Sequence, residues 1–429
     1  MKFENTIEFA RQLDEKDPLK HFREKFYIPI IYGKESIYFT GNSLGLQTKG
    51  TQDLVVDELE DWASLGVEGH LLARNPWFPY HEIFPKQLSK IVGCKENEVV
   101  VMNSLTVNLH LLLVSFYRPT KECFKIICET KAFPSDQYAM ESQVKLHGFN
   151  PDEAIIEVKP SEGEYSIRTE DILATIKKHG QETALVLFGG VNYYTGQLFD
   201  MKSITEAAQK VGAYAGFDLA HAAGNAELNL HDWNVDFACW CSYKYLNSGP
   251  GAVGGVFIHE KHVTSTELPR FAGWWGYSKA TRFNMEKGFQ AIPTAEGWQL
   301  SNAPILAMAA HKAALDVFEE AGMENLHTKR KLMSNYLKFI IEEINSRQTE
   351  KVIEVITPKN ENERGCQTSM LMLKRGKEVF NELLKSGVVA DWREPDVIRI
   401  APVPLYNTYE DLWRFGNIIY SILKQPQRH

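Results

Sequence analysis

The chain has 429 residues, 44% hydrophobic and 24% charged, the balance of a soluble globular protein with length for about two to three domains. Lys and Arg number 47 against 55 Asp and Glu, a net charge of −8, which argues against nucleic acid as the main partner because phosphate binding needs a basic footprint. Six cysteines without a CxxC pair read as reduced thiols rather than zinc ligands. With no apolar leader and no run of roughly 18 apolar residues, the expected compartment is the cytoplasm and no membrane partner is expected.

Residues 1–26 read as a helix, with apolar positions at Phe3, Ile7, Phe9, Ala10 and Leu13. A second, acidic-faced helix is predicted over 51–66 and a third within 79–92. From about residue 97 short β-branched runs alternate with helical stretches. EVVVMN, FKIICE, EAIIEVKP, TALVLFGG and AYAGFDLA read as strands, and DFACWCSY and AVGGVFIHE follow around a Gly-Pro-Gly turn. Repeated β-then-α at this spacing predicts an α/β fold with a mostly parallel sheet between helices. After about 305 come two long helices, the strands KVIEVITP, TSMLMLK and DVIRIAP, and a last helix TYEDLWRFGNIIYSILK. The expected division is an N-terminal segment 1–50 packing with a small C-terminal α/β domain 311–429, and a large domain 51–310.

Ligands of parallel α/β sheets bind at the carboxyl ends of strands, so polar residues there are the first candidates. Ser104, Leu105 and Thr106 lie between a strand and a helix start, where free N–H groups suit a phosphate; read alone they are equally an ordinary helix cap. Asp218 ends an apolar strand, and a carboxylate there is costly unless paired; it could also be a local cap. Lys244 sits in an apolar, aromatic run between Tyr243 and Tyr245. Either it snorkels to the surface or it is a desolvated amine competent as nucleophile and base. Phosphate seat, buried carboxylate and lysine, in that order, match the needs of pyridoxal phosphate, with Phe133 placed to stack on the ring.

With FTGNSLGL, GHLLARNPW, FPSDQYA, GGVNYYTGQ, DLAHAAGN, SYKYLNSGPG, GWWGY, LSNAPI and VIRIAPVPLYN the chain resembles the kynureninase family over most of its length. The resemblance implies a fold-type-I pyridoxal-phosphate enzyme with a seven-stranded sheet in the large domain. It implies hydrolytic Cβ–Cγ cleavage of kynurenine or 3-hydroxykynurenine to an anthranilate and L-alanine, in tryptophan catabolism or NAD biosynthesis. Under it, Lys244 anchors the cofactor and moves the Cα proton, Asp218 pairs with the ring nitrogen, and His221 and Asp136 lie beside it. Leu105, Thr106 and Tyr243 take the phosphate, Tyr243 being also a candidate proton donor, and Asn192 approaches the ring oxygen. Arg399 clamps the substrate carboxylate, Asn42 and Ser43 lie near substrate, and Trp274 and Asn302 reach the phosphate region from the second subunit of a homodimer. His70 and Asn302 form the polar pair of members that favour the 3-hydroxy substrate. Two other readings are a cysteine desulfurase, for which Cys366 is the late-chain candidate thiol, and a non-catalytic cofactor-binding descendant.

Overall fold

The computed structural model of the chain describes residues 2–265 and 267–425. Helix α1, Ile7–Lys16, starts at Thr6, whose hydroxyl accepts the N–H of Phe9. It ends earlier than the expected 26, because Asp17 precedes Pro18 and takes an extended conformation, the restriction proline imposes on its predecessor. Only a 3-10 turn, Lys20–Lys25, continues it. Helix α2 (Gly50–Leu65) stops where Gly66 turns to φ +53°. Helix α3 (Pro85–Val92) is shorter than the expected segment and begins with its proline in the first turn, where the missing N–H costs nothing.

The large sheet contains β1 (Val99–Met102), β2 (Lys125–Glu129), β3 (Ile155–Val158), β4 (Thr183–Gly189), β5 (Tyr214–Asp218), β6 (Phe237–Cys241) and β7 (Gly254–Ile258). Their spatial order is β1-β7-β6-β5-β4-β2-β3. β7 runs antiparallel to both neighbours, and every other pairing is parallel, so the mostly parallel seven-stranded sheet of the sequence reading is found. Helices α4 (Leu105–Phe116), α5 (Pro134–Leu146), α6 (Thr169–His179) and α7 (Met201–Lys210) cover its faces. Alternate strand residues enter different cores. Val99, Val101, Phe217 and Trp240 belong to the core that also takes in α3, α6 and α7, while Val100, Met102, Cys128 and Cys239 belong to the one that takes in α4 and α5. A strand buried on both faces has no polar side, which is why these segments read as apolar runs rather than alternations.

Helix α8 (Ile305–Ala321) and helix α9 (Met323–Ser346) meet at Gly322, φ +74°. A second, antiparallel sheet follows, built from β8 (Ile353–Val355), β9 (Thr368–Met372), β10 (Asp391–Arg393) and β11 (Val397–Ile400) in the order β8-β9-β11-β10. Helices α10 (Gly376–Lys385) and α11 (Tyr409–Lys424) complete it. Ala10, Leu13, Ile37 and Phe39 join its core. Asp14 fastens the N-terminal segment by accepting the N–H groups of Tyr409 and Glu410 at 2.7 and 2.9 Å, a carboxylate at the positive end of α11.

Candidate active site

The carboxyl ends of β1, β2, β4, β5 and β6 open on a cavity of about 260 Å³. Leu105, Thr106, Phe133, Asp136, Asp218, His221, Tyr243 and Lys244 all line it. A wider groove of about 1130 Å³ between residues 163–170 and 355–363 contains none of these groups, so convergent chemistry rather than volume marks the site.

Lys244 is 9% exposed. Its Nζ lies 3.2 Å from Nε2 of His221, 5.7 Å from the Phe133 ring centre and 5.8 Å from that of Tyr243. Burial and the cations of Lys244, Arg399 and Arg393 hold the His221 imidazole well below its usual range, so it is neutral and Nε2 accepts from the lysine. Asp218 Oδ1 accepts the N–H of Ala220 at 2.7 Å. Burial pushes its carboxyl up, opposed by Lys244 and by hydrogen bonding to Asp136. Asp136 is pushed well above the carboxylate range by burial and then by Asp218. Of the two, Asp136 therefore keeps its proton and Asp218 bears the charge, as like carboxyls sharing a site must divide.

Helix α4 begins at this rim. Ser104 takes the cap conformation but its side chain makes no capping bond, leaving the first-turn N–H groups for a ligand. Thr106 Oγ1 and Ser135 Oγ lie 2.7 Å apart across the same rim. Phe133 is 40% exposed, an open aromatic face in edge contact with Tyr193 at 5.3 Å. Burial raises the Tyr243 phenol, so it stays protonated and able to donate.

Other expected residues stand further off. Asn42 is buried, its Nδ2 donating to Gln367 Oε1 at 3.1 Å, while Ser43 is exposed at the adjoining turn. That turn docks on the lysine segment, Gly45 N–H donating to Tyr243 O at 2.8 Å. Arg399, 1% exposed, pairs with Asp391 opposite it on β10 and donates to the carbonyl of Tyr193, a residue on the cavity wall. Asn192 is not among the lining residues, and its Oδ1 accepts the N–H groups of Tyr194 and Thr195, both at 3.0 Å. His70 stacks on Phe78 at 4.7 Å, and with Trp274 and Asn302 it lies outside this cavity. Trp274 Nε1 instead donates to Arg282 O at 3.3 Å. Among the lining residues that the sequence reading did not single out are Ser135, Glu129 and Tyr193; a serine in the first turn of a helix and a glutamate after an apolar run carry no signal of their own.

The arrangement can hold a covalently anchored carbonyl cofactor. A buried amine, one ionised carboxylate, a helix start without a side-chain cap and an open ring face fit pyridoxal phosphate, and Asp136 Oδ1 and His221 Nδ1 are buried without a hydrogen-bond partner among the described residues. Cys366 does not fit the desulfurase alternative. It is buried beside β9, its N–H held by Asn225 Oδ1 at 2.7 Å, and burial pushes its thiol up to about 12.

A family model for the kynureninase C-terminal domain matches residues 328–419. A kynureninase from Flavobacterium psychrophilum is 58% identical, the match covering 98% of each chain. The human kynureninase is 48% identical over 97% of this chain and 93% of its own. Among solved structures, a cysteine desulfurase from Escherichia coli superposes with a TM-score of 0.75 over 95% of this chain and 98% of its own, at 12% identity. One from Thermococcus onnurineus gives 0.74 at 16% identity, over 91% and 95%. At such identities the likeness is one of fold alone.

Proposed function

The chain belongs to the kynureninase family of pyridoxal-phosphate enzymes, and we propose that it hydrolyses the Cβ–Cγ bond of 3-hydroxykynurenine in preference to kynurenine, releasing 3-hydroxyanthranilate and L-alanine. The observation that carries the reading is Lys244, buried at the cavity floor within reach of His221 and beside the Asp136–Asp218 pair. When bound, pyridoxal phosphate supplies the electron sink that makes Cα and Cβ acidic. Lys244 holds it and then carries the proton from Cα. Asp218 keeps a negative charge at the ring nitrogen, and Asp136, protonated, adds a hydrogen bond without a second charge. Leu105 and Thr106 offer the phosphate an N–H group and a hydroxyl. Tyr243, held protonated by burial, delivers a proton during cleavage of the γ-carbonyl side. Arg399 receives the substrate carboxylate, for which its planar fork is suited.

The substrate preference rests on His70 and Asn302. His70 Nδ1 is buried and without a partner among the described residues, and a site built to hydrogen-bond a hydroxyl discriminates strongly against the analogue lacking it. His70, Trp274 and Asn302 all lie outside the cavity of a single chain, so the reading requires a second copy of the chain to complete the site. Exposed Val67, Leu71, Leu72, Phe283 and Met285 supply apolar surface for that homodimer. The expected place is tryptophan catabolism or NAD biosynthesis, in the cytoplasm; none of the described helices is long and apolar enough to cross a membrane.

The test is the visible spectrum of the purified protein followed by substrate addition. The expected result is a yellow cofactor band, absent in Lys244→Ala, and faster release of product from 3-hydroxykynurenine than from kynurenine. A coloured protein that leaves both substrates intact would overturn the reaction, and equal kcat/KM on the two would overturn the preference.

A further inference from the structure

Glu129 ends β2 and lines the cavity at 4% exposure. Both of its oxygens converge on one donor, the N–H of Gly189, at 3.0 and 3.3 Å. Gly189 ends β4 and pairs in register with Asp218, and a Cβ there would come 3.0 Å from Glu129 Oε1. The glycine thus lets the glutamate close over the strand end flanking Asp218. Among the described residues no lysine, arginine or histidine forms an ion pair or hydrogen bond with it. A buried carboxyl without a cationic partner normally stays neutral, yet this one lines the same cavity as Asp218, the residue that would pair with a cationic ring nitrogen.

We propose that Glu129 is a charge-setting residue behind Asp218, protonated in the cofactor-free protein and ionised when the cofactor's cationic ring nitrogen arrives. The inference rests on the pyridoxal-phosphate reading of the site. The O–H bond of Glu129 breaks, its electron pair stays on the carboxylate, and the proton goes to solvent buffer. The added negative charge helps Asp218 keep the ring protonated. The groups facing Glu129 are Asp218 from β5, Asp136 from α5, Glu157 from β3, and Lys244 and His221 across the cavity. Three of those five are acids, and burial, with Asp218 and Glu157, pushes Glu129 up to about 7, where a modest cationic influence suffices to ionise it. The sign follows. A nearby cation favours the ionised form, so cofactor binding strengthens as pH rises through this range.

The experiment is titration of cofactor-free protein with pyridoxal phosphate at pH 5.5, 7 and 8, by calorimetry in two buffers of different ionisation enthalpy. Wild type, Glu129→Gln and Lys244→Ala are compared. A coupling of one pKa unit makes the Kd of Glu129→Gln about equal to wild type at pH 5.5 and about tenfold weaker at pH 8. At pH 7 wild type and Lys244→Ala should each release roughly half a proton more than the same chain carrying Glu129→Gln. The Lys244→Ala background removes protons that come from the lysine itself. A pH-independent affinity loss in Glu129→Gln, or equal proton release, would overturn the inference and reduce Glu129 to packing. Should Glu129→Gln not fold, a Lys244→Ala protein that releases no proton at pH 7 overturns it equally. Failure of every folded variant and of wild type to bind pyridoxal phosphate would instead sink the cofactor reading.

Discussion

Gly45 ties the N-terminal segment to the lysine, and replacing it with alanine tests how rigidly Lys244 must be held. A Cβ at Gly45 would fall on the carbonyl oxygen of Lys244 and on Oδ1 of Asn247, and would lie 2.7 Å from Asn247 Cα. Ordinary carbon–carbon contact begins near 3.5 Å, so something must retreat by about 0.8 Å. Two of the three obstacles are main-chain atoms, so a rotamer change cannot relieve the clash. The 42–46 turn must lift, breaking the Gly45–Tyr243 hydrogen bond, or the 244–247 segment must move and carry Lys244 with it. Overpacking of this kind costs about 1–3 kcal/mol, and misplacing a reacting group by about 1 Å costs about 100-fold in rate. Gly45→Ala should therefore lower kcat/KM by about 100-fold and the melting temperature by a few degrees, with the cofactor band shifted but present. Gly50→Ala is the control, since nothing lies within 4 Å of its Cβ. A Gly45→Ala enzyme matching the Gly50→Ala control in both rate and melting would refute the claim that this contact positions the lysine.

Four further outcomes are expected. Arg399→Lys should keep the cofactor band and raise KM by about 10- to 100-fold, the worth of a charged hydrogen bond in a fork that lysine cannot reproduce; steady-state kinetics check it, and an unchanged KM would remove Arg399 from substrate binding. Ser135→Ala should weaken pyridoxal-phosphate binding about 2- to 10-fold by depriving Thr106 of its partner, read by fluorescence titration. Mixing denatured Lys244→Ala and Trp274→Ala chains and refolding them should restore about a quarter of wild-type activity, because half the random dimers carry one intact shared site; no recovery argues for sites contained in single chains. His311 is fully buried with Nδ1 2.7 Å from Ser248 Oγ, and burial pushes it down to about 3 from the usual 6.5. A depressed histidine contributes stability that is present above the unfolded value and lost as pH falls, about 3 kcal/mol by pH 4.5. Urea melts of His311→Gln should lose that part of the pH slope.

The strands were legible because burial on both faces leaves no polar alternation to confuse, and Lys244 and Asp218 stood out as charges in apolar runs. Their partners were harder to read. Asp136 and Ser135 sit in the first helical turn after Phe133, where acids and serines are common for ordinary reasons. Glu129 looks like the polar end of a strand, and only the fold shows that β4 ends beside it in a glycine whose N–H it accepts. Asn192, which the family resemblance puts near the ring oxygen, also closes its own turn through Oδ1, as asparagine commonly does. The long N-terminal helix failed at Pro18, a local rule outweighed in the reading by apolar periodicity. β10 was passed over because Asp-Trp-Arg has neither length nor alternation; its Asp391 is needed opposite Arg399, a pairing across strands invisible along the chain.

The reversed strand β7 has a consequence for what the site can accept. It lies between β1 and β6, whose ends carry the helix start at residues 104–106 and the lysine at 244. Strands stand about 4.8 Å apart, so the two anchoring points are separated by two spacings, about 9.6 Å, with β7 starting between them at Gly254. Gly254 itself adds no side chain there, and has no room for one: a Cβ would press on Asn108 Nδ2 at 2.8 Å and Trp240 O at 2.9 Å. A bound molecule fixed at both ends acts as a strut across three strands rather than as cargo in a hole. A carbonyl compound without a distal anion can lean on only one abutment, and the protein should resist heat most when the whole span is bridged.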